Sequence, residues 1–328
     1  MKPSEVSSRL ARLIPARLPV LLTGAPGVGK SDVVCSAAEA AGAACVVLHP
    51  VVSDPTDAKG LPAIVDGRAE FLPYGDLRHL MHANGPMVAF LDDLGQAPAS
   101  VQAAYMQLLL ARRINGHAIS EHVTWIAATN RRQDKAGVSG ILEPVKSRFA
   151  TILEIEPNLD DWCTWAFSQS LPAEVIAFLR FRPGLLHDFK PTADLTNSPC
   201  PRSWAYAARL VALGLTDVET LSGSVGQGAA IELVSFLRVF ASMPSIDAIL
   251  LNPDTAAIPT EPSALYAVCV ALACRASTQT GDRIIRYAGR LPAEFSVLCV
   301  RDAHRKSPDI ASCRAFVEWA SNHAGILS

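Results

Sequence analysis

The run Gly24-Ala25-Pro26-Gly27-Val28-Gly29-Lys30-Ser31 gathers the groups that hold a polyphosphate. It follows the apolar run Val20-Leu21-Leu22 and precedes the helix-compatible stretch Asp32 to Ala38. Strand, glycine loop, helix is the context a P-loop requires. Glycines let several backbone N–H groups converge on one anion, and the helix N-terminus adds its positive dipole end. In that arrangement Lys30 reaches the β- and γ-phosphates and the Ser31 hydroxyl holds Mg²⁺. The competing reading, a chance glycine turn, does not explain the flanking strand and helix. A nucleoside triphosphate with Mg²⁺ is the expected ligand pair.

A second constellation follows at Val88-Ala89-Phe90-Leu91-Asp92-Asp93. An apolar strand ending in two carboxylates is a Walker B pattern: Asp92 binds Mg²⁺, and Asp93 orients the attacking water and helps deprotonate it. A solvated turn is the alternative, and the P-loop upstream argues against it. Further on, Ala127-Ala128-Thr129-Asn130 sets an amide at a strand tip, where it can hold water or sense the γ-phosphate. Asn also ends many ordinary strands, so its place in the order of motifs supports the functional reading.

Elements to position these groups are legible. Val20 to Thr23, Ala44 to Leu48, Met87 to Leu91, Thr124 to Ala128 and Thr151 to Ile155 read as buried strands. Helical patterns lie between them, such as Val101, Tyr105, Leu108, Leu109 on one face. Alternation of this kind predicts a parallel sheet covered on both faces, with ligands at the carboxyl ends of its strands. Asp66-Gly67 and Asn115-Gly116 predict two tight hairpins, over 63–71 and 112–119. After Glu156-Pro157 the pattern turns helical, and the three prolines of 245–262 read as a linker.

Composition narrows the class. The chain has 328 residues, half of them apolar, room for two domains. A net charge of −2 gives no electrostatic footprint for nucleic acid. Its eight cysteines form no Cys-x-x-Cys pair, which fits a reduced cytoplasmic protein. No apolar run is long enough for a membrane span, and Met1 to Glu5 is too polar for a secretory signal. His79 and His82 lie three apart on a helical stretch, a spacing that exposed surface pairs share with metal ligands. Arg131-Arg132 fits a contact to a neighbouring subunit or nucleotide and a solvated loop equally well.

Taken together, the motifs resemble an AAA+ ATPase of the MoxR-like branch over roughly residues 15 to 240. The hairpin at 63–71 corresponds to that branch's helix-2 insert and the one at 112–119 to its pre-sensor-1 hairpin. Leu94-Gly95-Gln96-Ala97-Pro98 is similar to the family's continuation of Walker B. The resemblance makes Asn130 sensor 1. Glu143 to Phe149 is similar to the family's Arg-Phe box, which makes Arg148 an arginine finger for a neighbouring subunit's γ-phosphate. Pro201-Arg202-Ser203 is similar to the start of the lid helix, which makes Arg202 sensor 2. The implied fold is a P-loop αβα parallel-sheet domain over 1–157, an all-helical lid over 158–244 and a C-terminal helical extension over 245–328. The implied activity is Mg²⁺-dependent ATP hydrolysis by a ring, a hexamer in this family. Its output is remodelling of a protein client, possible partners including a von Willebrand factor A domain protein.

One departure stands out: the family carries Glu where this chain has Asp93. A carboxylate withdrawn by about 1 Å can cost on the order of 10²-fold in rate. Slow hydrolysis and a nucleotide-gated scaffold that barely turns over are both compatible with that change. A nucleic-acid-stimulated motor is a further alternative, because such hairpins can touch DNA. The hairpin pair, however, offers only Arg68, Arg112, Arg113 and His117 as phosphate ligands. The extension can lengthen the lid, dock on a partner or support oligomerisation.

Overall fold

Five apolar segments pair side by side in parallel in the computed structural model, which describes residues 1–134, 140–192 and 194–322. The chain separates into two compact units, Met1–Pro157 and Asn158–Ser328. In the first, the strands run β1 (Val20–Gly24), β2 (Ala44–Leu48), β3 (Leu61–Val65), β4 (Arg68–Leu72), β5 (Met87–Leu91), β6 (Arg113–Ile114), β7 (His117–Ala118), β8 (Val123–Asn130) and β9 (Thr151–Ile155). The central sheet has the order β2-β5-β8-β1-β9. Its middle strands, β5 and β8, are buried along their whole length, which explains why their sequences are near-continuous apolar runs.

Helices cover both faces. On one side lie α1 (Pro3–Leu13) and α2 (Lys30–Ala40), whose Val6, Leu10, Val34 and Ala37 pack with Val20, Leu22, Phe90 and Ile126. On the other lie α3 (Pro55–Lys59), α4 (Gly75–Met81), α5 (Ala99–Ala111) and α6 (Glu143–Lys146). There Leu77, Leu80, Val101, Tyr105 and Leu108 meet Leu21, Leu91, Trp125 and Ala127. Alternate residues of one strand thus feed two cores, as the period of two requires. The expected αβα parallel-sheet domain is present.

Both hairpins form where the sequence places them, β3–β4 and β6–β7. Their turns hold Asp66, Gly67, Asn115 and Gly116 at positive φ, the backbone that favours Asn-Gly and Asp-Gly. They also touch: Asn115 Nδ2 donates to the Lys59 carbonyl at 3.0 Å, and His117 Nε2 lies 2.9 Å from the Phe71 carbonyl.

The second unit is helical, with α7 (Leu159–Ser168), α8 (Ala173–Phe181), α9 (Pro201–Ala212), α10 (Val218–Val225), α11 (Gln227–Ala241), α12 (Ile246–Leu251), α13 (Pro262–Cys274), α14 (Gly281–Ala288), α15 (Ala293–Lys306) and α16 (Arg314–Asn322). One core runs through it, joining Phe178, Trp204 and Phe236 to Val268, Leu272, Ile285 and Phe295. The segments expected as lid and extension therefore share an interior. The stretch read as a linker is instead packed: α12 buries Ile249 and Leu250, and the Tyr287 hydroxyl donates to the Ala257 carbonyl at 2.8 Å. Pro253 follows the end of α12, and Pro262 opens α13 at a position where no backbone N–H is needed.

A buried ion cluster ties α7, α8 and α15. Arg180, 5% exposed, bridges Asp160 and Asp302, the latter 1% exposed and 2.8 Å away. Arg301 and Arg305 also reach Asp160. Burial pushes the Asp302 carboxyl above its ordinary range against the pull of the three arginines. Burial also acts upward on Asp160, but its bond to Arg180 and the nearby Arg301 and Arg305 outweigh that and hold it at about 2. Asp160 therefore stabilises the fold above its ordinary value of 3.8 and loses that contribution as pH falls toward 2. Asp302 acts with the opposite sign: its burial is best tolerated at low pH, when it is protonated, and costs more as pH rises through its elevated value. Arg180→Met, which strands a buried carboxylate, is expected to lower stability by about 3–5 kcal/mol at neutral pH. Urea unfolding monitored from pH 7 to pH 3 checks this; the deficit should shrink as the buried Asp302 carboxyl protonates.

Candidate nucleotide site

The sheet register assembles the site. Strand β1 pairs with β8 so that Gly24 lies opposite Asn130, and β8 pairs with β5 so that Ala127 lies opposite Leu91. The Asp92 N–H extends the outer ladder by donating to the Leu48 carbonyl at 2.9 Å. Phosphate loop, paired carboxylates and amide thus emerge from adjacent strands at one carboxyl edge.

The loop itself turns through Gly27 and Gly29, at φ 73° and 93°. Gly29 caps α2 in a left-handed conformation, so the first turn of α2 opens directly onto the loop. Gly24 serves differently: a Cβ there would lie 2.7 Å from the backbone oxygen of Ile155. Strand β1 is wedged against β9 at that point.

Lys30 is buried, and its ammonium donates to the carbonyls of Gly24 and Ala25, each at 3.1 Å, and to Asn130 Oδ1 at 2.6 Å. Asn130 turns its Nδ2 to Asp93 Oδ1 at 3.3 Å. Ser31 Oγ donates to Asp92 Oδ2 at 2.7 Å, and the Asp93 N–H donates to Asp92 Oδ1 at 3.1 Å. Lys30, Ser31, Asp92, Asp93 and Asn130 therefore form one hydrogen-bonded group, drawn from three motifs whose bonded residues lie 37, 61 and 100 positions apart along the chain. A hydroxyl beside a carboxylate is a hard-oxygen donor pair that suits Mg²⁺ and leaves most of its octahedron for water and phosphate. Asp93 sits at φ 54°, ψ 35°, a region Asp tolerates better than longer side chains do.

Arg148 is not part of this bonded group, and Arg202 belongs to the second unit. Arg148 follows α6, half-buried, with one terminal nitrogen donating to the Pro144 carbonyl and its buried Nε without a hydrogen-bond partner. Arg202 is exposed in the first turn of α9 in the second unit. Arg131, which the sequence left open, is engaged: it forks onto Asp134 at 2.9 and 3.0 Å and reaches Glu154 at 3.2 Å. It pins the exit of β8 to Asp134 and to β9.

Sequence reading missed Gln102. On α5 this fully buried amide donates to the carbonyls of Ala97 and Gly140, each at 3.0 Å, and accepts from the Leu142 N–H at 3.0 Å. An uncharged polar residue on the apolar stripe with Tyr105 and Leu109 was the available signal.

A family model, the AAA domain (dynein-related subfamily), matches residues 19–149. The match supports an AAA+ ATPase domain in the first unit and does not extend to the second. No curated protein matches the chain. Among solved structures, the Thermotoga maritima RuvB Holliday junction branch migration motor is 16% identical, over 82% of this chain and 80% of that one, with a TM-score of 0.44. NtrX from Brucella abortus is 14% identical, over 94% of this chain and 67% of that one, with a TM-score of 0.43.

Because β1 has no room for a methyl at its end, Gly24→Ala should destabilise the first unit by about 1–3 kcal/mol and displace the loop. Thermal unfolding, alongside MgATP binding by titration calorimetry, reads both effects.

Proposed function

We propose that this protein is a Mg²⁺-dependent ATPase that works as a ring and remodels a protein client. The bonded group of Lys30, Ser31, Asp92, Asp93 and Asn130 carries the reading, because only phosphate and metal chemistry needs those five groups at one sheet edge. Lys30 exchanges its loop carbonyls for β- and γ-phosphate oxygens. Bound Mg²⁺ supplies charge neutralisation of the phosphates. Ser31 and Asp92 hold the ion, Asp93 orients water, and Asn130 relays between Asp93 and Lys30.

Arg148 fits a finger acting on a neighbouring subunit. Among the described residues its buried Nε has no hydrogen-bond partner and a terminal nitrogen donates to the Pro144 carbonyl within its own turn, an arrangement that reorientation toward an anion would readily exchange. A finger supplied in trans is worth roughly 10³–10⁵ in rate in the GTPase case. Arg202, exposed at a helix start, serves as sensor 2 in this reading, and the second unit transmits the motion. Hexameric assembly, a von Willebrand factor A partner and a cytoplasmic setting belong to the same proposal. Among the described residues no helix is long and apolar enough to cross a membrane.

Steady-state MgATP turnover should rise in specific activity with protein concentration and be lost in both Lys30→Ala and Arg148→Ala. A rate independent of concentration and of Arg148 would eliminate the ring.

A slow-turnover scaffold is the second reading, favoured by Asp93 in its left-handed backbone. Asp93→Glu should lengthen the reach of the carboxylate while costing about 1 kcal/mol in backbone strain. Turnover raised on the order of tenfold or more, measured with a phosphate-release assay, would mark the native protein as tuned for holding ATP; unchanged or lower turnover would mark Asp93 as a competent base.

A further inference from the structure

Between the Walker B carboxylates and Arg148 lies a buried connection that the proposed chemistry leaves unused. The turn after Asp93 is closed by its own backbone, Gln96 N–H to the Asp93 carbonyl at 2.9 Å and Ala97 N–H to the Leu94 carbonyl at 3.2 Å. Gln102 reaches from α5 to both sides of a seam. Its Nε2 spans the carbonyls of Ala97 and Gly140, and its Oε1 receives the Leu142 N–H. The Gly140 N–H closes the seam by donating to the Gly95 carbonyl at 3.2 Å. Leu142 is the residue that caps α6, and its carbonyl accepts from the Val145 and Lys146 N–H groups. Arg148 N–H then donates to the Val145 carbonyl at 3.1 Å.

We infer that Gln102 is a positioning residue for the arginine finger: it fixes the start of α6 to the carboxylate-bearing turn, so that the site in one subunit sets where Arg148 stands for its neighbour. The inference rests on the reading of Arg148 as a finger acting in trans. Only one orientation of the amide satisfies this network, with two carbonyls facing its nitrogen and one N–H facing its oxygen. A leucine fills similar space and leaves three backbone groups without partners. The helix α6 is four residues long and cannot hold its own position by propensity, so its place depends on burial of Val145 and Phe149 against α5 and on the Gln102 clamp at its N-cap. Because the turn at 93–97 is closed by backbone bonds, loss of Gln102 should spare its own carboxylates and release the finger.

Mixed assemblies of full-length chains separate the roles. Lys30→Ala chains lack nucleotide chemistry but carry a finger; Arg148→Ala chains have the chemistry and lack the finger. Mixing the two should restore turnover above either alone. If it does not, the trans-finger reading fails and this inference falls with it. Given restoration, Gln102→Leu placed on the finger-donating Lys30→Ala chain should cut the rescue by at least about tenfold, since a displacement of about 1 Å can cost on the order of 10²-fold. The same substitution on the Arg148→Ala chain should leave the rescue intact. Equal loss on both chains, or no loss on the donor, overturns the inference while leaving the trans finger standing. Gln102→Glu, which keeps an acceptor for the Leu142 N–H and loses both donors, provides the same comparison should the leucine variant melt early.

Discussion

A buried ammonium organises the first unit. Lys30 can stay charged away from water only if oxygens surround it, and the three it finds come from two different strand tips. The Gly24 and Ala25 carbonyls must turn inward, which forces the loop to bend through glycines. Asn130 must stand beside them, which requires β8 next to β1. Asp93 is then brought in through Asn130, and Asp92 through Ser31, the residue after the lysine. The order of strands and the twist of the loop can be understood as the means of giving one cation its partners.

Legibility of this arrangement in the sequence followed from locality. Glycine loop, strand-terminal carboxylates and Asx-Gly turns each write their backbone geometry into a few adjacent residues, and the five core strands and both hairpins lie where those residues indicate. Long-range polar contacts leave no such local mark. Gln102 looked like one polar residue in a helix, and the carbonyls it serves are at positions 97 and 140, on either side of it in the chain. Arg131 has Asp134 three residues on, but its reach to Glu154 depends on β9 lying at the same end of the sheet as the exit of β8.

The helical unit was harder to divide. Prolines at 245–262 suggested an open connection, yet Ile249, Leu250 and Tyr287 draw that stretch into the same interior as α8 and α13. Helix α13 is buried nearly all round, so its apolar pattern has no polar face from which a boundary could be read. Arg180 and Asp302 are separated by 122 residues and meet in that interior, so the two halves of the unit are bound by charge as well as by packing.

The contact between Gly24 and Ile155 has a mechanical side. Strand β9 is the last element of the first unit before Pro157, so a load applied to the chain at Pro157 along the strand axis would enter through it. Load in that direction shears the β1–β9 ladder as a whole, whose five registered pairs resist together, where a sideways pull would unzip them one by one. With no side chain between Gly24 and the Ile155 oxygen, the two backbones have little slack. The start of the glycine loop is therefore tied to β9 with little give, and a displacement of β9 along its axis passes to β1 before the ladder has to part.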